Sequence, residues 1–326
     1  MDNYIIRKIS RKAGDTIYHL YYDKSGNKID DKRYIKKITD GIYIPPRYRD
    51  VKINVNVNKK IRAIGYDDKN RPQYIYHKEH IEKQKNKKFN QMIIFGKKFS
   101  KINKMIHKDI QLSDNSKNNQ IAIILKLIMD CHFRVGSEKY LKDNQSYGTT
   151  TLEKKHITET KDGITINFIG KKKVHNFCNV KDKLLIKTLK RKKRNNRSPK
   201  LFTYQYKDKD VTVKPSDVNK YLKQFGDIST KNFRTWGANI EYIRQLLHNH
   251  SNEKHPKHAI KESVNKVAFK LHNTIGVCKS NYIDPEITNF YSLDPYKFVS
   301  YFKGDKNSVS KRVIQSKYIH FLESIA

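Results

Sequence analysis

The chain has 326 residues, of which 69 are Lys or Arg and 32 are Asp or Glu, so its formal net charge is +37 at pH 7. An excess of this size needs a polyanionic partner or a strongly solvated surface, and nucleic acid is the first candidate. The 21 tyrosines and 14 phenylalanines, together with 37% hydrophobic residues, exclude a chain that is disordered throughout. The length favours a principal domain plus a smaller one.

The N-terminal part of the chain predicts β structure. Short segments in which apolar and polar residues alternate lie at 16–22, 51–57 and 73–76, with turn signals between them. The charged stretch 80–88 then predicts a linker or a linker helix. We therefore predict a small antiparallel β module over residues 1–82.

The remainder, residues 83–326, predicts a larger domain that is mainly α-helical. Apolar residues recur at helical spacing from about Ile93 onward, most clearly in 121–129 and 242–247. The predicted fold class is therefore α+β.

One stretch of this second domain, 156–178, predicts two or three short strands instead of helix. Asp162-Gly163 fits a two-residue hairpin turn there. Alternation places three apolar side chains on one face of a strand, Ile164, Ile166 and Phe168. The helical domain should thus carry a small β-sheet.

Neither a metal site nor a membrane segment is indicated. The cysteines Cys131, Cys178 and Cys278 lie far apart without metal-ligand spacing, which favours a reducing compartment. The histidines at 248, 250, 255 and 258 have no thiolate partners, so a solvated loop is predicted there. The first ten residues lack the continuous apolar region of a signal peptide. The longest apolar run, 121–129, contains Lys126 and is shorter than the roughly 20 residues that span a bilayer.

The basic run 190–197 leaves three interpretations open. It fits a flexible solvated loop, a contact to the DNA backbone or an import signal. None of these decides a mechanism.

A set of short motifs occurs in a fixed order along the chain: Arg71-Pro72-Gln73-Tyr74-Ile75-Tyr76, Phe133-Arg134-Val135-Gly136, Lys139-Tyr140-Leu141-Lys142, the segment 151–157, Phe168-Ile169-Gly170-Lys171, Phe233-Arg234-Thr235-Trp236-Gly237 and the segment 273–285. In this set the chain resembles the type IB DNA topoisomerases of the poxvirus kind, which also occur in other large DNA viruses and in some bacteria. The resemblance covers most of the chain. It implies a catalytic domain of the kind that these enzymes share with tyrosine recombinases.

Arg134 and Arg234 have the chemistry of a phosphate clamp. Attack on a phosphodiester builds negative charge on the nonbridging oxygens, and two guanidiniums that donate forked hydrogen bonds stabilise it. Without the motif context, each would be interpreted as a DNA-backbone or salt-bridge arginine. The resemblance implies that both are catalytic.

Lys171 is the candidate general acid. The 5′-oxygen of deoxyribose is a poor leaving group unless it is protonated as it departs, and a lysine beside the phosphate supplies that proton. Lys171 follows Gly170 at a predicted hairpin tip, which matches the Gly-Lys position of the family. Lys172 and Lys173 adjoin it and stay open as alternatives.

Tyr282 is the candidate nucleophile. Its phenolate would attack phosphorus and form a 3′-phosphotyrosyl bond, which conserves the energy for religation without ATP or a metal. In poxvirus enzymes a catalytic histidine lies nine residues before the tyrosine. Here that position is Asn273, as in bacterial relatives, and His272 precedes it. An amide N–H donates to a phosphate oxygen without carrying charge.

The resemblance also implies DNA contacts. Gln73, Tyr74 and Tyr76 match family positions that touch the target DNA, although they would equally suit an ordinary sheet surface. Lys139 and Tyr140 follow Arg134 on a predicted helix and are candidates for groove or phosphate contacts. Ser137 stands where poxvirus enzymes have a base-contacting lysine, which puts the preferred cleavage sequence in doubt.

These observations predict a monomeric two-domain clamp that closes around double-stranded DNA, nicks one strand and reseals it, with no cofactor. A tyrosine site-specific recombinase and a non-enzymatic DNA-packaging protein are the alternatives. A recombinase usually begins with a helical DNA-binding domain, whereas this N-terminus predicts β structure. We expect an intracellular protein associated with DNA, in a virion or viral factory if the source is a virus.

Overall fold

The computed structural model describes residues 3–14, 16–113, 116–161, 163–195, 198–251, 255–303 and 309–325. Its contacts divide the chain into two compact units, Met1–Phe89 and Asn90–Ala326. The dividing point lies within a long helix, Lys78–Asp109. The boundary between residues 82 and 83 that the sequence suggested falls in the same helix.

The first unit is built on an antiparallel sheet, as predicted. Its five strands have the spatial order β2-β1-β3-β4-β5 and are β1 (Tyr4–Ala13), β2 (Thr16–Tyr22), β3 (Arg49–Asn54), β4 (Ile61–Tyr66) and β5 (Pro72–Tyr76). Helix α1 (Lys32–Thr39) begins after Asp31, whose carboxylate accepts hydrogen bonds from two backbone N–H groups of the first turn. The core contains Ile38 of α1 and four sheet residues, Ile5, Val51, Ile53 and Ala63.

The second unit is mainly helical. Its helices include α2 (Lys78–Asp109, beginning in the first unit), α3 (Lys117–Cys131), α4 (Glu138–Asn144), α5 (Lys183–Asn195), α6 (Pro215–Leu222), α7 (Thr230–Ser251), α8 (Pro256–Lys270), α9 (Ile275–Asn281), α10 (Pro285–Leu293), α11 (Pro295–Lys303) and α12 (Lys311–Ser324). Helix α3 is buried over most of its surface, as expected for a helix that is apolar nearly all round. Helix α7 packs against α3, α8, α11 and α12, so it forms the centre of the unit.

A small antiparallel sheet lies within the second unit. Its strands, in the order β6-β7-β8, are β6 (Ile157–Thr160), β7 (Gly163–Ile169) and β8 (His175–Val180). The predicted face of β7 is confirmed, because Ile164, Ile166 and Phe168 are all buried. Asp162, half of the suggested turn, lies outside the described residues. A separate hairpin joins β9 (Thr203–Tyr206) to β10 (Lys209–Thr212).

Two sequence interpretations of local structure are wrong. The basic run was interpreted first as a loop, but its described part, 190–195, is the last part of α5. The reason is that α5 has an apolar face, on which Leu185 and Leu189 are buried. Asn196 and Arg197 lie outside the described residues. The histidine-rich loop is likewise mostly helix, since His248 and His250 belong to α7 and His258 to α8.

The cysteines differ from the expectation as well. Cys131 and Cys178 form a disulfide, which nothing in their spacing predicted, while Cys278 is a buried free thiol. The pairing does not support the reducing compartment inferred from the sequence. Among the described residues, no helix is long and apolar enough to cross a membrane.

Candidate active site

Four of the predicted catalytic residues lie together in the second unit. Arg234 is on the N-terminal part of α7, and Arg134 follows the end of α3. Asn273 lies between α8 and α9, and Tyr282 is the residue at which α9 ends. The fold thus brings together residues from four segments of the chain around the hydroxyl of Tyr282.

Arg234 is the buried centre of this group, with 4% of its surface exposed. Its Nη2 donates to the carbonyl oxygen of Leu271 at 3.1 Å and to the hydroxyl of Tyr282 at 3.4 Å. Within the described part of the chain, its Nε and Nη1 have no hydrogen-bond partner. Buried N–H groups are almost always paired, so two donors without a partner beside Tyr282 make Arg234 a candidate anion-binding residue.

Arg134 and Asn273 form the second pair of the site. Nη2 of Arg134 donates to Oδ1 of Asn273. The backbone of Arg134 is fixed by Thr149, whose N–H and hydroxyl both donate to the Arg134 carbonyl, at 2.9 and 3.0 Å. The bond to Arg134 holds the oxygen of Asn273, so the amide Nδ2 is the atom of this side chain that remains as a donor. Among the described residues this Nδ2 forms no hydrogen bond within the usual distance and angle limits, although Asn273 lies near enough to the Tyr282 hydroxyl to lower its pKa.

The hydroxyl of Tyr282 is electrostatically activated. Burial alone would raise its pKa, but the charge and hydrogen bond of Arg234, with further contributions from Arg134 and Asn273, outweigh burial. The pKa of Tyr282 therefore lies below its ordinary value of 10.0. A tyrosine that ionises more easily is a better nucleophile.

Asn239 holds the backbone around Tyr282 and was not identified from the sequence. It lies on α7, is buried, and its Nδ2 donates to the carbonyl of Tyr282 at 3.1 Å. Its Oδ1 accepts from the N–H of Asp284 at 2.8 Å. Asn239 thereby ties the backbone at Tyr282 and Asp284 to the helix that carries Arg234. Other polar residues of α7, such as Asn232 and Thr235, are buried as well, so no sequence pattern singled out Asn239.

His272 supports the turn that presents Asn273. It has a left-handed backbone with φ of 52°, and its ring stacks on Phe133 with a centroid distance of 5.6 Å. Burial and then the charge of Arg234 lower the pKa of His272 to about 4, so it is neutral at pH 7. A neutral ring packed on Phe133 suits a supporting role.

A second histidine explains the glycine of the Phe-Arg-Thr-Trp-Gly motif. His132 is buried directly after α3, and a Cβ on Gly237 would come within 2.6 Å of its Cε1. Any larger residue at Gly237 would push His132, and with it the segment leading to Arg134.

Lys171 lies in the loop between β7 and β8, at the start of a short turn formed by residues 171–173. Gly170 is required before it, because a Cβ there would lie 2.4 Å from Nδ2 of the buried Asn176. The Lys171 ammonium lies over the ring of Tyr140, 5.9 Å from its centroid. The structure therefore brings Lys171 to Tyr140, and neither forms a hydrogen bond with Tyr282 among the described contacts.

Helix α4 carries Lys139 and Tyr140, and both side chains are exposed. The helix buries none of its own residues and begins at Ser137, whose hydroxyl accepts from the N–H of Tyr140 at 3.3 Å. Ser137 is thus the N-cap of this helix, a role that suits serine and does not suit lysine.

The remaining predicted residues belong to the first unit. Tyr74 and Tyr76 are on β5 and lie on one face of it, with ring centroids 6.4 Å apart. Gln73 is held by Asp67, to which its Nε2 donates at 3.0 Å. The hydrogen bond from Arg71 lowers the pKa of Asp67 to about 2, so the carboxylate stays ionised.

Comparison with known proteins finds similarity over most of the chain. The family described as "Eukaryotic DNA topoisomerase I, catalytic core" matches residues 77–290, and "Bacterial DNA topoisomerase IB, N-terminal domain" matches residues 18–67. The chain is 30% identical over 317 residues to DNA topoisomerase 1B of Acanthamoeba polyphaga mimivirus, covering 94% of this chain and 93% of that protein. It is 28% identical over 281 residues to DNA topoisomerase I of monkeypox virus and to DNA topoisomerase 1B of vaccinia virus (strain Copenhagen), covering 81% of this chain and 87% of each relative.

Proposed function

Because the chain belongs to the type IB DNA topoisomerases, which are isomerases, we propose that it relaxes supercoiled duplex DNA by transient cleavage of one strand. The Tyr282 oxygen attacks the scissile phosphorus, the bond from phosphorus to the 5′-oxygen breaks, and a 3′-phosphotyrosyl bond forms. After the duplex has rotated, the 5′-hydroxyl attacks phosphorus and expels Tyr282. One phosphodiester is exchanged for another, so ATP is not required, and in this proposal the two guanidiniums supply the positive charge that a metal ion would otherwise provide.

The observation that carries this proposal is the set of unused donors around Tyr282. Nε and Nη1 of Arg234 are buried without partners among the described residues, while its Nη2 bonds the Tyr282 hydroxyl. A phosphate that meets the tyrosine would satisfy these donors. Arg134 and the Nδ2 of Asn273 would bind nonbridging oxygens in the same way. Donors that are fixed in place before charge develops stabilise the transition state most effectively.

Lys171 is our candidate for the acid that protonates the 5′-oxygen. It is the first residue after the constrained Gly170, and its exposed ammonium is free to leave the Tyr140 ring for a bound substrate. Lys172 and Lys173 share its loop, but both have left-handed backbones, with φ of 62° and 59°. Lys171 does not share this left-handed conformation, which distinguishes it from its two neighbours.

Double-stranded DNA is the proposed partner. The net charge of +37 favours a polyanion. Lys139 and Tyr140 on exposed α4 and the paired rings of Tyr74 and Tyr76 are available for DNA contacts. We propose that residues 1–82 act as a DNA-clamp domain and residues 83–326 as the catalytic domain of a monomer. Such an enzyme would be intracellular and bound to DNA, in a virion or viral factory if the source is a virus.

The test compares wild type, Tyr282→Phe and the matched control Tyr296→Phe, whose parent side chain is 78% exposed on α11. Each protein is incubated with positively and with negatively supercoiled plasmid in EDTA without ATP. Wild type and the control should relax both plasmids and form a covalent adduct with DNA, whereas Tyr282→Phe should bind DNA and do neither. Adduct formation by Tyr282→Phe would refute the assignment. Strand exchange between two DNA sites would indicate a recombinase. If wild type binds DNA without cleaving it, a packaging protein would be indicated.

A further inference from the structure

A disulfide lies beside the proposed catalytic machinery. Cys131 is the last residue of α3 and Cys178 is on β8, with a sequence separation of 47 and a Cα–Cα distance of 5.6 Å. This Cα–Cα distance is typical of cysteines that bond without displacing the backbone. Cys131 is 4% exposed, whereas Cys178 is partly accessible.

Each end of the disulfide leads to a proposed catalytic residue. Cys131 is followed, after His132 and Phe133, by Arg134. Strand β8 continues from the loop that carries Lys171. The disulfide is therefore a covalent connection between the two segments.

We infer that Cys131 and Cys178 are a reversible redox pair that fixes the Lys171 hairpin to the Arg134 segment and so controls the rate of DNA cleavage. The activity part of this inference depends on the proposed role of Lys171. The oxidant is a low-molecular-mass disulfide such as glutathione disulfide. The thiolate of accessible Cys178 attacks it, one thiol leaves, and a mixed disulfide remains. The thiolate of Cys131 then displaces the second thiol, so two protein thiols are oxidised and one external disulfide is reduced. Two external thiols reverse the process.

Loss of the disulfide should affect Lys171 more than Arg134. The backbone of Arg134 keeps its bonds to Thr149 in either redox state, and the next carbonyl, of Val135, is bonded by Thr150. Strand β8 pairs with β7 on one side, and among the described strands no other strand pairs with its outer edge. The hairpin that holds Lys171 therefore depends more on the covalent connection.

The first arm of the experiment counts thiols. The protein is equilibrated with either glutathione disulfide or dithiothreitol, alkylated in guanidinium and digested for peptide mass spectrometry. We expect one alkylated cysteine after oxidation, Cys278, with the other two cysteines in one linked peptide pair, and three alkylated cysteines after reduction. Cys278→Ser should keep the linked pair and Cys178→Ser should lose it. Three thiols after oxidation, or a link that involves Cys278, would overturn the inference.

The second arm measures single-turnover cleavage and noncovalent DNA binding in both redox states. Reduction should slow cleavage roughly tenfold, a part of the 10²–10⁴ that general acid catalysis contributes, and leave binding unchanged. The oxidised form should also melt roughly 5–15 °C higher. With a 5′-sulfur leaving group, which needs no protonation, the rate difference between redox states should largely disappear.

Cys178→Ser should cleave at the rate of the dithiol wild type under both oxidising and reducing conditions. Cys278→Ser should keep the wild-type ratio of the oxidised to the reduced cleavage rate. If oxidised and reduced wild type cleave DNA at equal rates, the inference that the disulfide controls cleavage is overturned, even if the Cys131–Cys178 bond forms. Absence of cleavage in every state would refute the proposed function instead, since the thiol count does not depend on activity.

Discussion

Replacement of Asn239 by alanine tests whether the tyrosine is positioned from helix α7. The change removes the bond from Nδ2 to the Tyr282 carbonyl and the bond from the Asp284 N–H to Oδ1. The Tyr282 carbonyl and the Asp284 N–H then lose this partner. A buried polar group left unpaired costs about 1–3 kcal/mol, so we expect a loss of about 2–4 kcal/mol in the free energy of unfolding. For a unit of this size, this lowers Tm by roughly 5–10 °C.

A matched control separates positioning from stability. Asn249 lies on the same helix, is equally buried, and its Nδ2 donates to Ser263 Oγ at 3.0 Å and to the Ala259 carbonyl at 3.4 Å. Asn249→Ala should therefore lower Tm by a similar amount. It should leave cleavage nearly unchanged, because α8 rather than the nucleophile loses its anchor.

The assay is single-turnover formation of the covalent adduct at a temperature well below both melting transitions. Asn239→Ala should be slower than wild type by roughly 10²-fold, since a displacement of about 1 Å at a reacting atom has an effect of that order. The reasoning is refuted if Asn239→Ala cleaves at the wild-type rate, or if Asn249→Ala is slowed to the same degree.

Three further predictions concern the other residues of the site. A 5′-sulfur leaving group should restore most of the cleavage lost in Lys171→Ala and little of that lost in Arg234→Ala; equal rescue would mean that Lys171 is not the acid. Asn273→Ala should slow cleavage by about 10² to 10³ and His272→Ala by less than about tenfold; the opposite ranking would assign the phosphate contact to the histidine. The cleavage rate should rise with pH as Tyr282 loses its proton and then reach a plateau, with the midpoint of the rise below pH 10.0 and no break near 6.5, because the pKa of His272 is about 4. Loss of the Arg234 charge should move that plateau to higher pH, and an unmoved plateau would contradict our account of the lowered tyrosine pKa.

The sequence predicted the elements whose periodicity is simple. The alternation at 16–22 corresponds to β2 and that at 73–76 to β5. Strand β1 was missed because its YIIRKISRKA sequence mixes charges with apolar residues on both faces. Helix α1 was missed because only Ile38 of its eight residues is buried, so its apolar pattern is short.

The site was predictable where chemistry demands a residue type within a motif. Arg134, Arg234, Asn273 and Tyr282 lie together as the motifs implied. Asn239 was not predictable, because its role consists of hydrogen bonds to two backbone groups that lie more than forty residues away in the sequence. The partner of Cys131 was not predictable either, because tertiary packing decides which cysteines pair across 47 residues.

The buried Arg234, which the proposed activity requires, also lowers the stability of the folded protein. A guanidinium that is 4% exposed and leaves two N–H groups unpaired among the described contacts destabilises the DNA-free fold. An apolar side chain of similar volume, such as methionine, would avoid the cost of burying an unpaired charge. In a gene copy that must still fold but no longer cleaves DNA, selection for stability should therefore favour such a residue at this position. Among related sequences, retention of the arginine would then separate working enzymes from inactive descendants that kept only the fold.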